Sequence, residues 1–77
     1  MKLKVKNFDW LAGRPVVVLN SETAKKLNVH VDDRVSISVS GKKINSVVDI
    51  FPRLVENDEI GLSREISMPL KIRSESI

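Results

Sequence analysis

The fold of this protein is decided by the stretch LNSETAKKLNVHVDDRVSI (residues 19–37), because a similar stretch, LSREISMPLKIRSESI (residues 62–77), follows it. At an offset of 43 residues the identical pairs are Leu19 and Leu62, Glu22 and Glu65, and Leu27 and Leu70. The similar pairs are Val17 and Ile60, Asn20 and Ser63, Val29 and Ile72, and Asp32 and Glu75. Any two strand–helix units share such residues for physical reasons, but here the preceding strands also correspond in order and length. We therefore interpret the repeat as an internal duplication.

Each copy is predicted to form a β-β-α-β unit. In the first copy the alternating KLKVKNF, the β-branched PVVVLN and the alternating RVSISVS are strands. SETAKKLN is a helix of about two turns, capped by Asn20 or Ser21. In the second copy KKINSVVDIF and a segment around Ile60 are strands. A helix then begins at Ser63, and Pro69 is expected to limit it to about one turn.

The predicted fold is therefore mostly β with two short helices. We expect a closed, six-stranded double-psi β-barrel built from two β-β-α-β repeats that a pseudo-twofold axis relates. Closure removes the exposed edges that a small open sheet would have. Only the beginning of the last strand, SESI, is present, so residues 1–77 are expected to be a single N-terminal barrel domain truncated before that strand.

Composition excludes several classes of protein. A chain of 77 residues with 42% hydrophobic and 30% charged residues is typical of one small folded domain. No apolar run approaches the roughly 18 residues that span a membrane, and the alternating MKLKVKNF is unlike a signal peptide. Because cysteine is also absent, we expect a cytoplasmic protein without membrane contact. The net charge of +3 is spread along the chain, which argues against nucleic acid as a partner.

No catalytic residue, cofactor site or metal site is predicted. His30 has only Asp32 and Asp33 beside it, which are too few ligands for a metal ion and are typical of a solvated turn. No serine lies in a nucleophile motif, and the three glycines are isolated, which excludes a phosphate-binding loop.

The aromatic residues are the candidates for an interaction site. Phe8 and Trp10 bracket Asp9 just after the first strand. They either plug one end of the barrel or, in the case of Trp10, anchor a contact with another subunit or domain. We assign Trp10 and Phe51 to a possible interface, because aromatic side chains are enriched in protein–protein contacts.

A further set of motifs occurs in a fixed order along the chain. A basic first strand precedes Asp9, Gly13 and Arg14, an apolar strand ends at Asn20, an acidic turn follows the helix, and DEIGLSRE (residues 58–65) comes later. This order resembles the opening of the archaeal AMP phosphorylases, formerly grouped as thymidine phosphorylases, in which a segment like GEVGISRD corresponds to DEIGLSRE. The resemblance covers nearly the whole chain, but only the first domain of a much longer enzyme.

The resemblance implies that the parent protein is an enzyme of nucleotide metabolism. It would be a phosphorylase of the pentosyltransferase class, a glycosyltransferase, that converts AMP and phosphate to adenine and ribose 1,5-bisphosphate. AMP and phosphate would bind to later domains. The segment itself would be non-catalytic and would serve oligomerisation, with other copies or the parent catalytic domains as its partners.

A second resemblance leaves an alternative function. The residues 19–39 are also similar to the half-barrel of AbrB-type DNA-binding dimers, whose double-psi relatives include the N-terminal domains of some AAA ATPases. A free-standing module that contacts DNA or protein is therefore the alternative. The AbrB family has one copy of the unit per chain, whereas this chain has two.

Overall fold

The computed structural model describes residues 2–39 and 41–70, without the side chain of Leu70. The described elements are β1 (Lys4–Asn7), β2 (Val16–Leu19), α1 (Ser21–Leu27), β3 (Arg34–Val39), β4 (Lys42–Ile50), β5 (Glu59–Leu62) and α2 (Arg64–Leu70). The prediction of a mostly β fold with two short helices is confirmed. Neither of the helices in this part of the chain is long and apolar enough to cross a membrane.

The five described strands form one curled sheet in the order β1-β5-β2-β4-β3. β1 is parallel to β5, and β2 is antiparallel to β5 but parallel to β4. β3 and β4 form an antiparallel hairpin. Gly41 lies in the hairpin turn with a φ of 79°, a left-handed conformation that glycine adopts without steric cost.

Strand pairing repeats at the same offset of 43 residues as the sequence. The bounds of β2 and β5 differ by this offset, and so do those of α1 and α2. The β1–β5 and β4–β2 ladders have equivalent registers. Where the two repeats meet, Val18 of β2 lies opposite Gly61 of β5, and these two positions are themselves equivalent. A pseudo-twofold axis therefore passes through the Val18–Gly61 pair.

The hydrophobic core lies on one face of this sheet. Its buried members are Val5, Val17, Leu19, Val48, Leu62 and Ile66. Successive strand residues point to opposite faces, so Val18 and Gly61, which alternate with core residues, face the other side. Each helix has only seven residues and would be unstable alone, so packing against the sheet must hold it.

Two expectations are wrong. Pro69 does not limit α2 to one turn, because α2 has seven residues, as many as α1. A proline at this position removes one helix hydrogen bond and crowds the carbonyl four residues before it, so the helix continues to Leu70 because packing on the sheet outweighs this local cost. Phe8 and Trp10 do not plug the interior, because both lie outside the core cluster. The predicted last strand, beginning in residues 74–77, lies outside the described residues.

Candidate functional site

The three aromatic residues of the protein, Phe8, Trp10 and Phe51, line one groove on the sheet face opposite the core. The other lining residues are Asp9, Val18 and Leu54. The structure thus brings together Trp10 and Phe51, the two residues predicted for an interface. Their exposed fractions are 38% and 37%, so the groove presents aromatic surface to solvent. Contiguous exposed apolar surface is typical of an interaction site.

Two equivalent tetrapeptides form the walls of the groove. FDWL (residues 8–11) follows β1, and FPRL (residues 51–54) follows β4 at the same offset of 43 residues. The Phe8 amide donates to the Leu62 carbonyl at 3.1 Å, and the Phe51 amide donates to the Leu19 carbonyl at 3.2 Å. The first residue of each tetrapeptide therefore forms an equivalent hydrogen bond to the end of a neighbouring strand. The sequence comparison did not identify the FDWL and FPRL pair, because the aligned positions began at Val17. Extending the alignment towards the N-terminus at the same offset aligns Phe8 with Phe51.

The floor of the groove depends on Gly61. The Phe8 ring lies directly over the Gly61 Cα, and a Cβ there would overlap the ring. Gly61 has no left-handed φ, so the close approach of the ring, rather than the backbone conformation, requires glycine. At the equivalent position Val18 is fully buried, with an exposed fraction of 1%. The two halves of the floor therefore differ in shape.

The N-terminus of α2 holds the FDWL wall. The Arg64 amide donates to the Trp10 carbonyl at 2.8 Å. The Arg64 Nε lies 3.2 Å from a carboxylate oxygen of Asp9, which forms an ion pair at the rim of the groove. Both contacts fix the backbone from which the Trp10 side chain projects.

Glu65 binds the end of the loop that begins with FDWL, at Ala12 and Gly13. Its carboxylate accepts hydrogen bonds from the Ala12 amide at 3.1 Å and from the Gly13 amide at 2.7 Å. The Ala12 hydrogen bond is the main reason that the pKa of Glu65 is lowered. The Gly13 amide and the Ser63 side chain act in the same direction, while desolvation opposes them. Gly13 has a φ of 84°, as the predicted turn requires.

Helix α1 holds the FPRL wall. Of the two predicted caps Asn20 is the one used: its Oδ1 accepts a hydrogen bond from the Glu22 amide at 2.9 Å. Its Nδ2 donates to the Val55 carbonyl at 2.9 Å. The buried Thr23 hydroxyl donates to the Asn57 carbonyl at 2.7 Å. One short helix end therefore supplies both its own cap and the support of the loop.

Cations lie on the rim of the groove. The Lys6 Nζ donates to the Leu54 carbonyl at 3.1 Å and lies 6.0 Å from the centroid of the Phe8 ring. Arg53 is exposed and forms no ion pair with any residue in 2–39 or 41–70. The FPRL tetrapeptide thus carries one exposed cation without an ion pair among the described residues.

The turn residues that were considered as metal ligands, His30, Asp32 and Asp33, have other partners in the structure. His30 Nδ1 lies 3.5 Å from the Asp33 carboxylate, which also accepts a hydrogen bond from the His30 amide at 2.8 Å. Asp32 lies instead 3.6 Å from Arg14. Within the described residues no group of three or more His, Cys, Asp and Glu could hold a metal ion.

The fold and the groove together define a small, internally duplicated, mostly β module with an exposed aromatic surface. No protein-family model matches the chain. Among curated proteins it is similar to AMP phosphorylases of three archaea. The identity is 36% over 66 residues for Thermococcus kodakarensis, 36% over 70 for Methanococcoides burtonii and 33% over 72 for Methanocella arvoryzae. The resemblance seen in the sequence is confirmed.

The matches differ greatly in the share of each protein that they cover. They include 86%, 91% and 94% of this chain, but the chain spans only 13–14% of the length of these relatives. The chain is therefore similar, along nearly all of its length, to one small segment of an archaeal AMP phosphorylase.

Proposed function

We propose that this chain is the non-catalytic N-terminal domain of an AMP phosphorylase and that its aromatic groove docks the domain within the assembled enzyme. One observation carries the proposal: all three aromatic side chains line a solvent-exposed groove in a segment that is similar to a small part of three AMP phosphorylases. The parent reaction is the conversion of AMP and phosphate to adenine and ribose 1,5-bisphosphate, in other domains.

We also propose that the sheet is part of a closed, six-stranded double-psi barrel. β4 pairs on both sides, with β2 and β3, whereas its equivalent β1 pairs with β5 alone among the described strands. If the pseudo-twofold relation extends to β3, its equivalent would lie along the other side of β1. A strand there would be antiparallel to both β1 and β3 and would join the two edges of the sheet.

The proposal is tested on the protein at its native length. Adenine release from AMP and phosphate is measured together with particle mass by light scattering. The unmodified protein should release adenine. Trp10→Ala should lower the particle mass while adenine release persists, because the groove contributes to assembly and not to chemistry. Val31→Ala is the matched control, since Val31 is an exposed apolar residue outside the groove.

Each part of the proposal can fail separately. If AMP and phosphate yield no adenine, the assigned reaction is wrong. If Trp10→Ala leaves the particle mass equal to that of Val31→Ala, the groove does not serve assembly. If Trp10→Ala abolishes adenine release while the particle mass is unchanged, the segment contributes to catalysis and the proposed non-catalytic role is wrong.

A further inference from the structure

We infer that the β3–β4 hairpin binds the backbone of duplex RNA through its outer face. The segment concerned, residues 34–47, is called the arm. This role goes beyond the proposed function and does not depend on the aromatic groove. Three observations carry it: where the net charge lies, how the two strands extend past the sheet, and which side chains they expose.

The net charge of the chain lies in the arm. Residues 34–47 contain Arg34, Lys42 and Lys43 and no acidic residue, so the arm has a net charge of +3, equal to that of the entire sequence. The remaining residues therefore include equal numbers of basic and acidic ones. An average along the chain hides this local excess, and a basic surface on one element is the electrostatic mark of a polyanion site.

The arm extends past the rest of the sheet as a two-stranded ribbon. β4 pairs with β2 only from Val47 to Ile50, whereas its pairing with β3 continues from Val47 to Lys42. The inner face of the arm packs against the core through Val35, Ile37, Val39 and Ile44. Because successive residues of a strand point to opposite faces, the alternate residues form an outer face that a ligand can reach.

Five polar side chains lie on this outer face, and each can donate hydrogen bonds. They are Arg34, Ser36, Ser38, Lys43 and Asn45, and all are exposed. Cross-strand pairing places Ser36 opposite Asn45 and Ser38 opposite Lys43. None of the five forms a side-chain hydrogen bond or an ion pair with a residue in 2–39 or 41–70. Cations interleaved with hydroxyl and amide groups are the side chains that contact phosphate oxygens.

The composition of the outer face favours a nucleic acid over an acidic protein. Protein interfaces are anchored by aromatic and large apolar side chains. All three aromatic residues of the chain line the groove instead, and the alternating apolar residues of the arm point to the core. The arm therefore offers charge and hydrogen bonds without an apolar anchor, as expected of a site for a phosphate backbone.

The neutral side chains favour RNA over DNA. Ser36, Ser38 and Asn45 can accept hydrogen bonds as well as donate them. A phosphate offers only acceptors, whereas the ribose 2′-hydroxyl, which DNA lacks, both donates and accepts. Duplex RNA displays its 2′-hydroxyls in a wide, shallow minor groove that a flat strand surface can contact. The cations of the arm then bind the phosphates beside that groove.

Salt dependence of RNA binding tests the cations. The protein at its native length is titrated against a short, fluorescently labelled RNA duplex, and binding is followed by anisotropy. Three phosphate contacts predict that the affinity falls about 40-fold between about 50 and 200 mM salt. Lys43→Gln should reduce the slope of log affinity against log salt by about 0.9. Lys26→Gln is the matched control, because Lys26 is an exposed lysine outside the arm with no ion pair among the described residues.

A comparison of RNA with DNA tests the neutral side chains. A DNA duplex of the same sequence should bind more weakly than the RNA duplex, because it has no 2′-hydroxyl. Ser38→Ala should narrow this difference while it leaves the salt dependence unchanged, since it removes a hydroxyl but no charge. Circular dichroism of each variant verifies that it is folded.

Four outcomes overturn the inference. Absence of RNA binding, or equal effects of Lys43→Gln and Lys26→Gln, means that the arm is not an RNA site. Equal affinities for RNA and DNA mean that phosphates alone are recognised. Displacement of the RNA by polyglutamate at equal charge means that the partner is an acidic protein. Adenine release from AMP and phosphate is measured on the same samples, so failure of the RNA site is distinguished from failure of the proposed reaction.

Discussion

Glu22 and Glu65 are identical residues at equivalent positions, yet only Glu65 supports a loop. Its carboxylate accepts hydrogen bonds from two loop amides, whereas no described residue forms a side-chain hydrogen bond or ion pair with Glu22. The position equivalent to Gly13 is Glu56, and its amide already donates to the Glu59 carboxylate at 2.8 Å. The two glutamates therefore occupy equivalent helix positions but differ in their hydrogen bonds. The loop that each one faces belongs to the other repeat, and the two loops differ in sequence.

Glu65→Gln should reduce the sensitivity of the fold to acid. The loop hydrogen bonds hold the pKa of Glu65 in the folded protein below its ordinary value of 4.5. The carboxylate therefore stabilises the fold fully above about pH 4.5, and this contribution is lost as the pH falls through the lowered pKa. The melting temperature of the unmodified protein should fall more steeply below pH 4.5 than that of Glu65→Gln.

Glu22→Gln is the matched control for this experiment. It makes the same change in the first turn of α1, where the carboxylate has no described partner apart from the helix dipole. Its acid melting profile should parallel that of the unmodified protein. Equal profiles for Glu65→Gln and the unmodified protein would show that the loop hydrogen bonds do not stabilise the fold.

Gly61→Ala should destabilise the protein mainly through the Phe8 ring, with a smaller contribution from Val18, whose Cβ would lie 3.1 Å from the new Cβ. The new Cβ overlaps the ring, so Phe8 must leave its position, at a cost of about 1–3 kcal/mol in the free energy of unfolding. In a Phe8→Ala background the same substitution should cost far less, and chemical denaturation of the four proteins measures this coupling. Gly41→Ala is the control: it meets no atom within 4 Å, its cost comes from its φ of 79°, and that cost should not depend on Phe8.

At the scale of elements, each helix supports the groove wall of the other repeat. Helix α1 belongs to the first repeat but contacts the loop after FPRL, through Asn20 and Thr23. Helix α2 belongs to the second repeat but contacts the FDWL loop, through Arg64 and Glu65. The two repeats are therefore interlocked, and neither could form half of the groove alone.

Substitutions of Asn20 should separate capping from loop support. Asn20→Ser keeps an oxygen that can cap α1 but loses the donor to the Val55 carbonyl, and we expect a cost of about 1 kcal/mol. Asn20→Ala loses both functions and should cost about 2 kcal/mol. Urea denaturation measures both variants. Equal costs would mean that the cap contributes nothing, and no cost in Asn20→Ser would mean that the Val55 contact contributes nothing.

At the scale of the whole molecule, strands of the two repeats alternate across the sheet. In the order β1-β5-β2-β4-β3 every neighbouring pair joins one strand of the first repeat to one of the second. All hydrogen bonding between the described strands therefore joins the two repeats, and this sheet cannot form from one repeat alone. Such an arrangement ties the formation of the groove to the folding of the entire domain.

The proposed barrel predicts that one more strand stabilises the domain. The 77-residue chain is compared with a chain extended, in the native polypeptide sequence, through the next strand. Pairing along β1 and β3 should raise the melting temperature, by roughly 4–8 °C for each kcal/mol gained. An extended chain with proline in the middle of the added strand should lose much of this gain, because proline cannot donate a ladder hydrogen bond. Coincident melting curves for all three chains would contradict closure.

The sequence by itself determined the local structure of this protein. Alternation placed the strands, Asn20 was among the predicted caps, Gly41 marked the hairpin turn, and the offset of 43 residues identified the duplication. These features depend on residues close together in the chain, where periodicity and backbone preference act directly. The extent of α2 past Pro69 was not predictable in this way, because packing on the sheet overrides the local preference.

Only the tertiary structure decided that Phe8, Trp10 and Phe51 form one site. The two walls are 43 residues apart, and they meet because β1 and β4 flank the central β5–β2 pair across the pseudo-twofold axis. Local periodicity does not encode which strand pairs with which, since the pairing minimises the free energy of the whole sheet and core. The aromatic residues could therefore be selected as candidates from the sequence, but their common groove arises from long-range strand pairing.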